Sequence, residues 1–145
     1  MYMLRSTIVN TMARRKKRKP GLWSRQSIYE CADGRKVVMD SSWEHICAVK
    51  MDEAGIKWVR DPEMHLHYYT PKGNRKRKYI PDFYLPDFDL YLEIKGFFTM
   101  QARHKMADVQ RRNDVNILMV ESMPEVLSIS RLVNEWASKK EDKDD

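Results

Sequence analysis

Two short runs of aromatic and branched residues, Tyr79 to Leu85 and Leu90 to Lys95, stand on either side of Pro86-Asp87 in YIPDFYLPDFDLYLEIK. Runs of this kind bounded by turn residues predict two strands joined tightly, and that pairing constrains the fold more than any other segment. Strand alternation sends Leu90, Leu92 and Ile94 to one face and Tyr91, Glu93 and Lys95 to the other. Asp82 shares a face with Ile80 and Tyr84 and sits beside Pro81, a residue that cannot complete a central ladder. An antiparallel pair would bring Asp82 close to Glu93, and two clustered carboxylates repel unless a cation or a proton intervenes. The plainer reading of Glu93 and Lys95 is a lateral ion pair along one strand.

The rest of the chain supplies a frame for these strands. SIYECADGRKVVMDS alternates around Ala-Asp-Gly and predicts a β-hairpin at about 27–40. Ser41 or Ser42 then caps a helix carrying Trp43, Ile46, Cys47, Lys50 and Ala54 at helical spacing, with Gly55 placed to end it. Glu44 in its first turn reads locally as an acid favouring the helix dipole. A strand is expected at Ile56–Arg60 and another in MHLHYY, where His65 and His67 share a face. Two histidines make only half a zinc site, so structural or DNA-facing roles are expected for them. KGNRKRK, residues 72 to 78, reads as an exposed loop between strands. Thr99 opens a second helix, Asn116 to Glu121 is an apolar strand, and Met123-Pro124 begins a C-terminal helix at about 124–138. This order predicts an α/β chain with a mixed sheet flanked by helices.

Charge divides the chain further. The net charge of +6 over 145 residues is concentrated at the start, where residues 1 to 20 hold seven Lys or Arg and no acid. Without that segment and the last five residues, 19 bases face 17 acids. The expected organisation is a disordered basic arm over 1–20, one domain over 21–138, and a disordered charged tail over 139–145. Cys31 and Cys47 lack metal-type spacing and read as small apolar residues. With no secretory signal or membrane span in the sequence, the expected setting is a reducing cytoplasm, that of a host cell if the chain is phage-encoded.

Two hard oxygen ligands that leave room for water suit Mg2+, which seldom accepts a cage made wholly of protein. Lys95 beside such an ion is placed to orient or help deprotonate an attacking water. Pro81-Asp82, ten further residues, then Glu93-Ile94-Lys95 resembles the signature of the PD-(D/E)XK nuclease superfamily. With the helix containing Glu44, the AGIKW that closes it and the basic and aromatic strands that follow, residues 41 to 121 are most similar to phage endonuclease I, the junction-resolving family.

The resemblance implies a restriction-endonuclease-like mixed central sheet flanked by helices, here with an N-terminal β-hairpin extension. It implies Asp82 and Glu93 as metal ligands, the Ile94 carbonyl as an extra ligand, Lys95 as the catalytic lysine, and Glu44 as the helix-borne acid and a further candidate ligand. Mg2+ is the implied cofactor, with Mn2+ able to substitute. One departure is Trp58-Val59, where the junction-resolving relatives carry an acid.

The expected partner is DNA, with a homodimer implied by symmetric cutting and no small-molecule cofactor or membrane. Backbone contacts are expected from Arg14, Arg15, Lys16, Lys17, Arg18 and Lys19 in the arm, from Arg75, Lys76, Arg77 and Lys78, and from Arg103 and Lys105. Tyr68, Tyr69 and Trp58 could stack on bases or belong to the core. The leading expectation is an endonuclease selective for branched DNA. A sequence-directed nicking or homing-type enzyme, a DNA-binding module without cleavage and a basic structural protein are the alternatives.

Overall fold

The computed structural model describes residues 26–144. The expected arm over 1–20 therefore lies outside the described residues. Within them the chain is α/β, with seven strands and four helices. Strands β1 (Ser27–Glu30) and β2 (Lys36–Met39) form the predicted hairpin, closed through Gly34 at φ 89, a conformation that glycine adopts without a Cβ clash.

Helix α1 (Ser42–Glu53) follows, capped by Ser41, whose Oγ accepts from the Glu44 N–H at 3.2 Å. Its end is a Schellman turn: Gly55 has φ 72, Ile56 N–H reaches the Met51 carbonyl at 2.9 Å, and Gly55 N–H reaches that of Asp52 at 3.1 Å. Ile56 and Met51 are both buried there, giving the turn its apolar contact.

The segment Ile56–Arg60 is not a strand, contrary to the expectation from its sequence. Only Val59 bridges to Tyr84, exchanging hydrogen bonds of 2.8 and 2.9 Å. The Asp61-Pro62 step ends the extension, because a proline restricts the residue before it and brings no N–H of its own.

Strands β3 (Leu66–Tyr69) and β4 (Lys76–Tyr79) form a second antiparallel hairpin, and the basic run spans its loop and returning strand. The sequence reads Tyr79 to Leu85 as one strand, but the chain breaks it at Ile80–Asp82. Proline 81 cannot donate to a ladder, so β4 ends at Tyr79 and β5 (Phe83–Leu85) begins with a different partner.

β5 pairs antiparallel with β6 (Leu90–Ile94), and β6 pairs parallel with β7 (Ile117–Val120) through helix α2 (Met100–Asn113). This three-stranded sheet is mixed as expected, but it is one of three small sheets and not a single larger one. Side chains of α2 finish the free backbone of β3. Asp108 accepts from the Tyr69 N–H at 3.1 Å, and the Asn113 amide bonds both the N–H and the carbonyl of His67.

Helices α3 (Met123–Leu127) and α4 (Ile129–Asp144) complete the described chain. Helix α4 runs past the expected boundary near 138 into the acidic tail. Lysine and glutamate propagate helices nearly as well as alanine, and Lys143 in the last turn opposes the helix dipole.

Two apolar cores result. One joins α1, α3 and α4 to the inner faces of β2, β5 and β6 around Phe83, Leu85, Leu90 and Leu92, all fully buried. The other packs Met106 and Val109 of α2 against Leu66, Tyr79, Phe98 and Ile117. Cys47 lies fully buried in the first core, where burial and the nearby charges of Asp82 and Glu44 push its thiol pKa up. Cys31 is half-buried, and both cysteines are free. No helix among the described residues is long and apolar enough to cross a membrane.

Candidate active site

The β5–β6 register, with Phe83 opposite Leu92, carries on by one residue and sets Asp82 against Glu93. Asp82 N–H donates to the Leu92 carbonyl at 3.1 Å, and Asp82 Oδ2 accepts from the Ile94 N–H at 2.7 Å. The two carboxyl groups are close enough to act on one another's protonation. Burial and then the charge of Glu93 push the Asp82 pKa well up, against the opposing pull of Arg60 and the Ile94 N–H. Glu93 is also raised by burial, though the neighbouring Asp82, the bond from Tyr79 and the charge of Lys105 favour its ionised form. Burial and proximity therefore push both groups toward their neutral forms.

Tyr79 anchors Glu93. Its hydroxyl donates to Glu93 Oε1 at 3.0 Å, and the ring is 4% exposed. Burial and the neighbouring Glu93 charge push the phenol pKa up, which favours its role as a donor. Lys105 of α2 stands over the same ring at 5.3 Å from its centroid. A lysine expected only to touch DNA backbone thus also lies beside the carboxylate pair.

Arg60 gathers the acids that the sequence spreads over forty residues. Its Nε donates to the Val38 carbonyl at 2.8 Å and Nη1 to the Asp82 carbonyl at 3.0 Å. Nη2 lies 2.8 Å from Asp40 Oδ2 and 2.9 Å from Glu44 Oε1, and Nη1 lies 3.8 Å from Asp82 Oδ1. The residue is 8% exposed, so this charge is fully engaged with protein. The sequence reading gave it no role. Its partners lie 16 to 22 residues away, beyond any local pattern.

Glu44 is 6% exposed, too buried for an acid serving only the helix dipole. Its Oε1 accepts from the Asp40 N–H at 3.0 Å as well as pairing with Arg60, and its charge helps to raise Glu93. It stands at the edge of the carboxylate pair, bound to the arginine.

Lys95 follows at the end of β6, on the Glu93 side by alternation, with its N–H on the Val120 carbonyl at 2.9 Å. Its side chain is exposed, and the ammonium lies 5.9 Å from the Phe98 ring centroid. Gly96 faces Trp43, and a Cβ there would stand 3.4 Å from the indole, an ordinary contact.

The donor set fits a hard divalent cation as a pair, not as a cage. Among the described residues no group of three or more His, Cys, Asp or Glu is arranged to hold a metal ion. Asp82 and Glu93 are two oxygen donors set side by side, and a cation would relieve the mutual repulsion of their ionised forms. The Ile94 carbonyl lies between Glu93 and Lys95 in the chain.

The other predicted residues are spread around this centre. Arg75, Lys76, Arg77 and Lys78 are all exposed on the second hairpin. Arg103 is exposed but ion-paired with Glu121, and its guanidinium lies 5.8 Å from the Phe98 centroid. Arg14, Arg15, Lys16, Lys17, Arg18 and Lys19 lie outside the described residues. Trp58 belongs to the core, packed edge-on to Tyr29 and Phe83 with its N–H on Asp52 at 2.9 Å. His67 Nδ1 is buried without a hydrogen-bond partner, and the exposed His65 ring lies edge-on to it at 5.3 Å.

Comparison with protein-family models, with curated proteins and with solved structures yields no match for the chain.

Proposed function

We propose that the chain is a Mg2+-dependent DNA endonuclease of the PD-(D/E)XK type with a restriction-endonuclease-like fold, selective for branched DNA and acting as a homodimer. The observation that carries this reading is the juxtaposition of the half-buried Asp82 and Glu93 on paired strands, with Lys95 two residues further along the same strand. A structural protein gains little from two half-buried carboxyl groups set side by side, because each raises the cost of ionising the other.

Asp82, Glu93 and the Ile94 carbonyl would hold the ion, with Mn2+ able to replace Mg2+. When bound, the metal supplies Lewis-acid polarisation of a phosphoryl oxygen and a more acidic water. The protein's own contribution is placement. The Ile94 N–H fixes one oxygen of Asp82, Tyr79 fixes one oxygen of Glu93, and Arg60 fixes the backbone beneath Asp82. Lys95 orients the attacking water and meets the negative charge that develops on the phosphate. Glu44, held by Arg60, adds negative potential at the edge of the site. The cations of the second hairpin lead straight into Asp82 and would seat the DNA backbone. Symmetric cutting of a junction needs two such sites, hence a dimer.

Incubation with Mg2+ and matched linear duplex, four-way junction and long genomic DNA, with the cut positions mapped, tests the reading. Cuts confined to the junction are expected. One recurring cut in genomic DNA would instead indicate a sequence-directed enzyme, and binding without cuts under Mg2+ and Mn2+ would reject catalysis.

A further inference from the structure

A cleft of about 920 Å3 opens between the β3–β4 hairpin and α2, lined in part by Tyr68, Tyr69, His104, Lys105, Arg111 and Arg112. It lies in the upper part of the range of roughly 300–1,000 Å3 found for small-ligand sites. Its walls pair aromatic faces with cations. Lys105 Nζ is 4.7 Å from the Tyr68 centroid, and the Arg112 guanidinium is 4.4 Å from that of Tyr69.

These pairs are held in place. Lys105, Asp108 and Arg112 follow one another at helical spacing on one face of α2. Asp108 accepts from Arg112 Nε at 2.9 Å and from the Tyr69 N–H at 3.1 Å, tying the helix to the strand. The cleft also adjoins the carboxylate pair, since Lys105 stands over both Tyr68 and Tyr79, and Tyr79 holds Glu93.

We propose that this cleft binds unpaired nucleotides of a DNA strand beside the phosphodiester that is cut. The inference rests on the endonuclease reading and adds to it that nucleotides left unpaired next to the cut, as at an opened branch point, are held by the protein. A duplex presents phosphates but keeps its base faces covered, which would leave the tyrosines nothing to stack on. Unpaired nucleotides offer both groups, the phosphate for Lys105, Arg111 and Arg112 and the base face for Tyr68 and Tyr69.

The test is fluorescence anisotropy of the full chain in EDTA, where binding is separated from cleavage. A blunt duplex is compared with the same duplex bearing a single-stranded extension of about five thymidines. Stacking of one base on a tyrosine face should make the extension tighten binding at least about fivefold. Tyr69→Ala should remove that preference and leave blunt-duplex affinity unchanged, while Tyr69→Phe keeps it. Arg112→Ala, which leaves both rings in place, should reduce it. Equal binding of the two DNAs by the wild type, or a preference that survives in both Tyr69→Ala and Arg112→Ala, would overturn the cleft assignment while leaving the endonuclease reading intact. Parallel loss for both DNAs in the variants would make the cleft an ordinary duplex-backbone surface. Failure to bind DNA of any form would remove both readings.

Discussion

Arg60 donates to the backbone carbonyl of Asp82 at 3.0 Å and so clamps the residue where the first core meets the carboxylate pair. The same guanidinium pairs with Asp40 and Glu44. Removing one partner of a buried ionic network leaves the others uncompensated, typically at a cost of about 3–5 kcal/mol. Arg60→Met should therefore lower urea stability by that order. Arg60→Lys should recover only part of it, because a single ammonium cannot span the Val38 carbonyl, Asp40 and Asp82 together. A loss below about 1 kcal/mol for Arg60→Met, the range of an exposed pair, would show that the network is not under tension.

The carboxylate pair makes a prediction about pH. Asp82 and Glu93 both have raised pKa values in the folded chain, whereas unfolded carboxyl groups titrate near pH 4. The folded state binds more protons between those limits, so the pair's contribution is full below about pH 4 and is lost as pH rises through the folded values. Arg60 and Lys105 oppose the shift, and Glu44 adds to that on Glu93. The Tm of wild type minus that of Asp82→Asn, measured in EDTA, should therefore fall with rising pH. Added Mg2+ should raise the wild-type Tm more at about pH 8 than at about pH 5, since a cation binds the ionised pair. A flat difference, with no Mg2+ effect at either pH, would argue against a metal here.

Much of this centre was legible from alternation alone. The pattern put Asp82 opposite Glu93 and Lys95 on the Glu93 side, because a period of two is rigid once a turn fixes the register. The Ser41 cap, the Gly55 stop and the first hairpin were legible for the same local reason, whereas the strand Lys76–Tyr79 lies in a run that reads as an exposed loop because its side chains are nearly all charged. Arg60 and Tyr79 were not. One sits in a segment that resembles a strand and forms a single bridge, the other at the end of a strand cut short by Pro81. Their roles depend on groups brought together by the tertiary fold.

Catalysis is tested by Glu93→Ala and Lys95→Ala. Loss of a group that stabilises developing charge typically costs about 10²–10³ in rate. Lys95→Ala should fall in that range and Glu93→Ala should abolish cleavage, with DNA affinity in EDTA largely retained in both. Full cleavage by either variant would sink the mechanism.

The basic N-terminal segment makes a separate prediction. Residues 1–19 carry seven Lys or Arg, and each phosphate neutralised contributes about 0.9 to the slope of log affinity against log salt. Deleting them should weaken DNA binding and flatten that slope. An unchanged slope would show that the segment takes no part.

The break at Pro81 ends the second hairpin before the three-stranded sheet begins, and the hairpin packs through α2 onto the Ile117 side of that sheet, away from the core around Phe83. A chain built this way can exchange what it grips without disturbing what it does. Loop residues between Tyr69 and Lys76 can vary in length and charge while the carboxylate pair keeps its support from Tyr79 and Arg60. If the chain is the proposed endonuclease, substrate preference becomes a replaceable attachment, and altering that loop is the least disruptive route to a new one.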